Sequence, residues 1–513
     1  MAKATHIQPP FAWLGRYAAG AGLVSAVGLG AAFRFWDLNS LPPGLYNTTA
    51  TTGLQALDLI EHGTLPGFTT ATGYNPLWVF MQALMIKLLG HTALALRIWP
   101  AILGTLAVIT LWLWVRSWFG VRVAWLAAFL LAVTPWAVTI SRDGTAAALY
   151  PLLITLTLWL ATLVYRKANL ANCLSFAVVM VINLFAGPFG WLTAALVLTT
   201  SLYIVIREHK VAKLSRNLII AVTITAVGLA TLAYFIGTAL DQFKHLPSFF
   251  SITTSIPALF TNLIKTLLMF NVYGDENYRH NLATVPMLNA FVGLMLVAGV
   301  LVGISRLLQR RYRLVFWFSL ITLIPAVAST TDVPNAVHAV ALLPFILLLA
   351  AIGISYMLEL WYATFPINSA ARLTGQSAII VLLGLTLFQG YTQYFRAWAG
   401  AGEVYSAFDE GAVGIADTLT TAKFSGPRFV VAPPDQLPVV AYLSHGNAAY
   451  QPVQPNGIAG LPATPGPRQF LIAAASRDAA VRALKTKFPG GVLRPQYSTF
   501  NQAEIYYLYD TTQ

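Results

Sequence analysis

Long apolar stretches with almost no charge constrain this chain more than any other feature. Residues 93–115 contain a single charged side chain, Arg97. A helix of this length crosses a hydrocarbon core of about 30 Å. Only 10% of the 513 residues are charged, whereas soluble domains carry roughly 25%. These properties predict a polytopic α-helical membrane protein.

The criterion of about 20 consecutive apolar residues predicts about eleven membrane spans. They lie near residues 14–35, 93–115, 122–140, 145–165, 172–187, 190–206, 217–239, 288–308, 314–330, 336–357 and 375–394. The first apolar run lacks a clear small-residue cleavage site, so we interpret it as a true span and not as a signal peptide. No internal repeat is visible, which argues against a transporter built from inverted repeats.

The connections between the spans differ in charge. Clusters of Lys and Arg fall on alternate connections, at residues 116–122, 166–167, 207–216 and 306–313. By the positive-inside rule these loops are cytoplasmic, which places the N-terminus inside and, for an odd number of spans, the C-terminus outside. Because the positive charges cluster between spans, we expect the net charge of +13 to face anionic lipids and not nucleic acid.

The chain is predicted to form two domains. Residues 1–394 form a transmembrane domain with outer loops at 37–92 and 241–288, and residues 395–513 form an extracytoplasmic domain. In the tail, RFVVA, QFLIAAA and EIYYLYD are typical of short strands, and RDAAVRALKTKF is typical of a helix. The tail therefore predicts a small α/β domain.

The first outer loop contains the signals of an amphipathic helix. Thr52 and Gln55 have capping-box spacing, which predicts the start of the helix, and Gly63 predicts its end. Residues 75–91 are apolar but too short to span comfortably, so we expect an interfacial or re-entrant element.

The predicted outer face has few polar groups. They are Arg34 and Asp37; Asp58, Glu61 and His62; SRDG (141–144); GDENYRH (274–280); and TDVPNAVH (331–338). An arginine at the membrane boundary is suited to hold a lipid-linked phosphate, and a carboxylate beside it can take a proton from an acceptor hydroxyl. The simpler interpretation is that each arginine is an interfacial anchor reaching water and that GDENYRH is a solvated turn. The residues alone leave both interpretations open.

Several segments resemble bacterial glycosyltransferase family 39 and follow one another in the order expected of it. They are LPPGLYN followed by GLQALDLIEHG, then GHTALALRIWPAILGTLAV, LLAVTPWAVTISRDG, GDENYRHNL and AVALLPFILLLAAIG. The resemblance covers roughly residues 20–410. It implies the GT-C fold of the protein O-mannosyltransferases and the lipid A aminoarabinose transferases. Such enzymes take a sugar from a polyprenyl-phosphate donor and pass it to an acceptor on the outer side, with inversion.

The chain departs from this family in its first outer loop. An acidic pair is expected after PPGLY, where it holds the base that deprotonates the acceptor, but these positions are Thr48 and Thr49. A second polar position further along the loop is Tyr74-Asn75. Threonine keeps its proton at neutral pH and offers only hydrogen bonds. Loss of a positioned base costs about 10²–10⁴-fold in rate.

The resemblance also implies roles for other residues. Contacts to the donor phosphate are expected at Arg34, Arg142, Arg279 and His280, whereas His338 stands where an arginine is expected. The candidate catalytic bases that remain are Asp143, Asp275 and Glu276. No cofactor is implied, and the lone Cys173 excludes a cysteine-cluster metal site. A requirement for a divalent metal is left open.

Two functions therefore remain. The first is a membrane glycosyltransferase with a relocated base, whose partners are membrane lipids and a polyprenyl-phosphate-linked sugar. The alternative is a catalytically degenerate GT-C homologue, a lipid-binding or scaffolding subunit with membrane protein partners. A transporter is disfavoured because the spans contain almost no paired ionisable residues.

Overall fold

The computed structural model describes residues 12–64, 75–207, 216–238, 253, 255–330, 332–446, 449–462, 466–498, 500 and 502–511. Apolar helices form most of it, and each predicted span coincides with one helix or, at Pro135, with two. The helices up to residue 392 are α1 (Ala12–Phe35), α2 (Asn47–His62), α3 (Pro76–Leu89), α4 (Ala93–Phe119), α5 (Val121–Val133), α6 (Pro135–Ile140), α7 (Leu149–Arg166), α8 (Leu170–Phe185), α9 (Pro188–Arg207), α10 (Arg216–Thr238), α11 (Ile256–Leu268), α12 (Ala290–Ser305), α13 (Arg310–Ala328), α14 (Leu343–Thr364) and α15 (Ser369–Thr392).

The fold is that of a multi-pass membrane protein. Among the described residues, five helical segments are long and apolar enough to cross a membrane: Ala93–Phe119, Ala146–Arg166, Arg310–Ala328, Val340–Thr364 and Ser369–Trp398. The apolar window of Val340–Thr364 is 89% buried inside the protein, and that of Ser369–Trp398 is 11% buried. Helix α14 is therefore central, and α15 presents its apolar side chains to lipid.

Helices α12 and α14 approach each other through glycine. A Cβ atom added at Gly299 would collide with the carbonyl oxygen of Leu349, and one added at Gly353 would collide with that of Met295. Small residues at such crossings let the backbones of membrane helices pack closely. We define the second long loop as the described residues 253 and 255–288. The α12–α14 crossing fixes the helix that follows this loop against the central helix.

The basic connections lie together at one end of the helix bundle. A guanidinium nitrogen of Arg166 donates to the carbonyl oxygen of Ser117, and Arg311 donates to that of Trp118 at 3.1 Å. Three of the connections predicted to share one face therefore do so. The fourth cluster falls mostly on residues 208–215, which lie outside the described residues.

Helix α2 begins earlier than its capping-box signal predicts. The hydroxyl of Thr52 donates to the carbonyl oxygen of Thr48 at 2.9 Å, as a residue inside a helix does, and caps nothing. Thr48 and Thr49 consequently belong to the first turn of α2 and not to a loop. The predicted end is confirmed, because Gly63 has a φ of 68° and its N–H donates to the carbonyl oxygen of Leu59.

The C-terminal domain is built on a mixed sheet. The strand order is β2-β1-β3-β5-β4; β1 is parallel to β2 and β3, and β5 is antiparallel to β3 and β4. The predicted strands and helix are confirmed, whereas the exposed strands β2 and β4 carry too weak an apolar pattern to be predicted. The elements are α16 (Gly402–Ala407), α17 (Glu410–Thr421), β1 (Arg428–Val431), α18 (Leu437–Leu443), β2 (Gln451–Pro452), β3 (Arg468–Ala473), α19 (Arg477–Lys487), β4 (Val492–Tyr497) and β5 (Glu504–Thr511).

The C-terminal domain packs on the first long loop, which we define as the described residues 36–64 and 75–92. The ring of Tyr442 lies against Gly53 of α2, and its hydroxyl donates to the carbonyl oxygen of Thr92 at 3.2 Å. Buried side chains of α2, α3, α17 and α18 share one apolar cluster. The loop and the domain are thus a single packed unit.

We expect Gly299→Ala to lower stability by about 1–3 kcal/mol, because the added methyl group forces the α12–α14 backbones apart. Gly384→Ala in α15 is the matched control, since a Cβ atom there has no neighbour within 4 Å. Thermal unfolding in detergent measures both variants. Equal unfolding temperatures would contradict the close crossing.

Candidate active site

Arg34 joins the first helix to α5. Its Nη1 donates to the carbonyl oxygens of Gly30 and Ala132, both at 3.1 Å, and its Nη2 donates to that of Leu131 at 3.0 Å. The side chain is 1% exposed. Arg34 is therefore no interfacial anchor reaching water, and its predicted contact to a donor phosphate would have to replace these bonds.

Arg142 holds the chain as it leaves α1. The side chain is fully buried and its terminal nitrogens donate to four carbonyl oxygens, at distances of 2.9 to 3.2 Å. The acceptors are Phe33, Arg34, Asp37 and Leu41. Arg97 of α4 bonds in the same way to the carbonyls of Leu38, Asn39 and Gly44. Arg142, like Arg34, is thus occupied by backbone.

Asp275 is buried and accepts hydrogen bonds on both oxygens. Its Oδ1 accepts from the backbone N–H of Asn277 at 2.8 Å. Its Oδ2 accepts from that of Ala336 at 2.7 Å and lies 3.0 Å from Nδ1 of His280. GDENYRH is therefore no solvated turn. Asp275 is poorly placed to take a proton from an acceptor, but it orients His280 so that Nε2 points away from the pair.

Glu276 and His338 have different surroundings. Glu276 is exposed and accepts from the hydroxyl of Tyr273 at 2.5 Å, so it faces away from the buried pair. Burial and the neighbouring His280 lower the pKa of His338. His338, where an arginine is expected, is therefore neutral near pH 7.

Asp143 has an oxygen without a partner. Its Oδ1 accepts from the N–H and the hydroxyl of Thr145, at 2.9 and 2.8 Å. Its Oδ2 is buried and has no hydrogen-bond partner among the described residues. Burial raises the pKa of Asp143, and the hydrogen bonds from Thr145 and the nearby Arg279 and His280 oppose this effect. Asp143 is thus a buried carboxyl group that is fixed at one oxygen and, among the described residues, unpartnered at the other.

Thr49 lies directly against the Asp143 segment. Its hydroxyl donates to the carbonyl oxygen of Asp143 at 3.4 Å, and a Cβ atom at Gly144 would lie 2.6 Å from its methyl group. Thr48 is exposed. The position at which the family acid is expected is therefore adjacent to Asp143. Of the second family position, Tyr74 lies outside the described residues, and Asn75 caps α3.

Arg279 bonds to no backbone carbonyl in the described part of the chain, unlike Arg34 and Arg142. Its Cζ lies 3.2 Å from the centroid of the Tyr46 ring, and its Nε is buried without a partner. Burial lowers its pKa, an effect that Tyr46, Asp143 and Asp409 oppose. Tyr46 precedes the first turn of α2, which has no side-chain cap.

Sequence reasoning missed Tyr46 and Asp409. Tyr46 is the last residue of the PPGLY element. Its ring carries no charge, so the sequence alone predicts no function for it. Asp409 lies far along the chain in the C-terminal domain, and no spacing connects it to Arg279.

Among the described residues, no three His, Cys, Asp or Glu side chains are grouped as they would be around a metal ion.

We expect Arg142→Lys to destabilise the protein by about 2–4 kcal/mol, because an ammonium group cannot reach the four carbonyls and leaves some unpaired. Arg116→Lys, at the exposed end of α4, is the control. The measurement is the unfolding temperature in detergent. Similar losses in both variants would show that the buried bonds contribute little.

Known proteins share this fold. ArnT from Cupriavidus metallidurans in the apo state matches with a TM-score of 0.62 at 12% identity, over 97% of this chain and 98% of ArnT. ArnT bound to undecaprenyl phosphate matches with a TM-score of 0.60 at 11% identity, over the same shares. AglB, the oligosaccharyltransferase of Archaeoglobus fulgidus, in complex with an inhibitory peptide and a dolichol-phosphate, gives 0.52 at 13% identity, over 98% of this chain and 75% of AglB.

The sequence itself matches one family. Residues 74–236 match the family model described as dolichyl-phosphate-mannose-protein mannosyltransferase. No curated protein matches the chain. The chain therefore has the GT-C fold, and its resemblance to glycosyltransferase family 39 is confirmed.

Proposed function

We propose that the protein is an inverting membrane glycosyltransferase that uses a polyprenyl-phosphate sugar, with Asp143 as the general base. One observation carries this proposal: the buried, unpartnered Oδ2 of Asp143 lies on the segment that Thr49 contacts. The carboxylate that the family places on the first loop is thus supplied from the neighbouring segment.

The environment of Asp143 favours proton abstraction. Thr145 fixes Oδ1 and leaves Oδ2 for an acceptor hydroxyl. A carboxylate whose pKa is raised by burial is a stronger base than one in water. Asp275 and Glu276, the other candidates, are a saturated carboxylate and an exposed one.

The donor phosphate fits beside the start of α2. The first-turn N–H groups of a helix attract anions, and those of α2 have no side-chain cap. The guanidinium group of Arg279 lies over the ring of Tyr46 at the N-terminal end of α2, and Asp275 orients His280. The replacement of two acids by Thr48 and Thr49 removes negative charge that would repel the phosphate. Likeness to ArnT bound to undecaprenyl phosphate supports a lipid-phosphate donor.

The reaction follows from these positions. Asp143 takes the proton of the acceptor group through Oδ2 while the acceptor atom attacks the anomeric carbon opposite the phosphate. The bond between that carbon and the phosphate oxygen breaks, and its electron pair stays on the phosphate. Arg279 and His280 stabilise the charge that develops there. A single displacement of this kind inverts the anomeric configuration.

We keep the predicted orientation as part of the proposal. The basic connections that share one end of the bundle are the cytoplasmic loops by the positive-inside rule. Asp143, Arg279 and residues 395–513 then lie on the extracytoplasmic side, where acceptors are found.

The loss of the acidic pair favours the second candidate, a degenerate homologue that binds lipid or serves as a scaffold. The experiment that separates the two is sugar transfer by the purified protein in lipid, with labelled polyprenyl-phosphate sugars and a membrane extract as acceptor source. Transfer above an empty-membrane control supports the enzyme. Binding of polyprenyl phosphate without transfer supports the degenerate homologue.

We expect Asp143→Asn to reduce the transfer rate by about 10²–10⁴-fold, because the amide cannot accept the proton. Glu276→Gln is the matched control on an exposed carboxylate of the second long loop, and its rate should equal that of the wild type. Initial rates at saturating donor measure both. An unchanged rate in Asp143→Asn would remove Asp143 from the mechanism.

We expect the acid limb of the rate–pH profile to lie above the ordinary pKa of an aspartate, 3.8, because burial raises the pKa of Asp143 and the base must be ionised. A raised pKa means that the fold favours the neutral carboxyl. The stability that the neutral carboxyl group of Asp143 contributes is therefore complete at low pH. This stability is lost as the pH rises through the folded-state pKa of Asp143. Asp143→Asn should accordingly unfold at a higher temperature than the wild type at pH 7.5, and at a similar temperature at pH 4.

A further inference from the structure

Three outer segments meet beside Arg279. The backbone of Phe408 lies against Gly44 of the first long loop. A Cβ atom added at Gly44 would collide with the carbonyl oxygen of Phe408. The indole N–H of Trp398 donates to the carbonyl oxygen of Tyr278 at 2.7 Å. The rings of Trp398 and Phe408 are in edge contact, with centroids 5.9 Å apart. The start of the C-terminal domain is thus attached to both long loops, next to Tyr46 and Arg279.

Asp409 follows directly on this junction and has an unusual backbone. Its φ is 50° and its ψ is 45°, in the left-handed region that L-residues seldom adopt. It precedes α17, but its side chain does not cap that helix. Instead, Oδ1 accepts from Nε2 of Gln436 at 3.4 Å. Asp409 is therefore in a strained backbone conformation, and its carboxylate does not stabilise the helix that follows it. Residues of this kind are candidates for functional positions.

We propose that Asp409 is a positioning residue that the C-terminal domain contributes to the donor site, where its carboxylate offsets part of the positive charge that Arg279 presents to the donor phosphate and to Asp143. The inference rests on the proposed function, since Arg279 is there the group that faces the donor phosphate. It assigns the C-terminal domain a part in the site itself, in addition to its packing on the first long loop.

The charges around the two groups support this arrangement. The charges of Asp143 and Asp409 both act on Arg279, and both raise its pKa against the effect of burial. The groups that act on the Asp409 carboxyl are the charges of Asp435 and Arg279 and the amide of Gln436, which donates to Oδ1. Burial and the like charge of Asp435 raise the pKa of Asp409 to about 6. Asp409 is therefore ionised at neutral pH and becomes uncharged in mild acid.

Sharing of Arg279 between two carboxylates has opposite effects on binding and on chemistry. The ionised Asp409 offsets part of the positive charge that an anionic donor meets, so it weakens donor binding. It also reduces the field that Arg279 exerts on Asp143, so Asp143 remains a stronger base. Loss of the Asp409 charge should therefore tighten donor binding and slow transfer. A merely structural defect would instead weaken donor binding and also slow transfer.

The test measures binding of an anionic lipid to the full-length protein in lipid nanodiscs. The probe is the methyl ester of undecaprenyl phosphate, a phosphodiester whose single charge does not change between pH 5 and pH 7.5. Asp409→Asn is the main variant, because asparagine is isosteric and tolerates the left-handed region. Asp417→Asn, on the exposed face of the same helix α17, is the matched control.

We expect Asp409→Asn to bind the probe roughly 3–10-fold more tightly than the wild type at pH 7.5, as one nearby charge predicts. The two should bind equally at pH 5, where Asp409 is already neutral, and Asp417→Asn should match the wild type at both values. Asp435→Asn provides an independent test, because removal of its charge should shift the affinity change to lower pH. In a transfer assay Asp409→Asn should lower both KM for the donor and kcat.

Equal or weaker binding by Asp409→Asn at pH 7.5, with wild-type binding intact, would overturn the role of Asp409 and leave the proposed function standing. If Asp409→Asn does not fold, the Asp435→Asn variant decides. A pH dependence of probe binding equal to that of the wild type in Asp435→Asn would likewise overturn the role of Asp409 and leave the proposed function standing. Absence of probe binding by the wild-type protein would overturn the lipid-phosphate donor and the role of Asp409 together.

Discussion

Guanidinium groups buried among backbone carbonyls hold the first long loop in place. Arg142 and Arg97 together bond to carbonyls between residues 33 and 44. Burial of a charge is costly unless its hydrogen bonds are satisfied, and here the carbonyls pair with the terminal nitrogens of both guanidinium groups. The position of Tyr46, of the first turn of α2 and of the Thr49–Asp143 contact all follow from this anchoring.

The same anchoring explains how a site can keep its geometry after losing an acidic pair. Two carboxylates on the first turn of α2 would stand beside Asp143 and compete with it for Arg279. With Thr48 and Thr49 there, Asp143 is the carboxyl group that the described residues place against the first turn of α2, and under the proposed function its unpaired oxygen is the proton acceptor. Under the proposed function, the base is carried by the Asp143 segment and not by the first turn of α2.

The sequence predicts the helices well and the roles of the polar residues poorly, for a physical reason. A membrane span is determined by the composition of about 20 consecutive residues, so α4, α7 and α14 are evident before folding. The acceptors of Arg34 and Arg142 are carbonyls, which every residue has, and no pattern distinguishes those that lie nearby. Asp143 and Asp275 look alike as sequence, and only their hydrogen-bond partners separate an open carboxylate from a saturated one. Asp409 has no local signal at all, because its importance depends on a contact between distant segments.

The Asp275–Ala336 bond and the Gly299–Gly353 crossing lie on the same pair of structural elements. The second long loop continues into α12, and the segment with Ala336 continues into α14, so these two pieces are fastened both at the loops and within the bundle. Two separated fastenings prevent the pieces from sliding or rotating past each other. If the site widens to admit a long lipid or to release a product, the second long loop and the segment with Ala336 must therefore move together with α12 and α14, and not past each other.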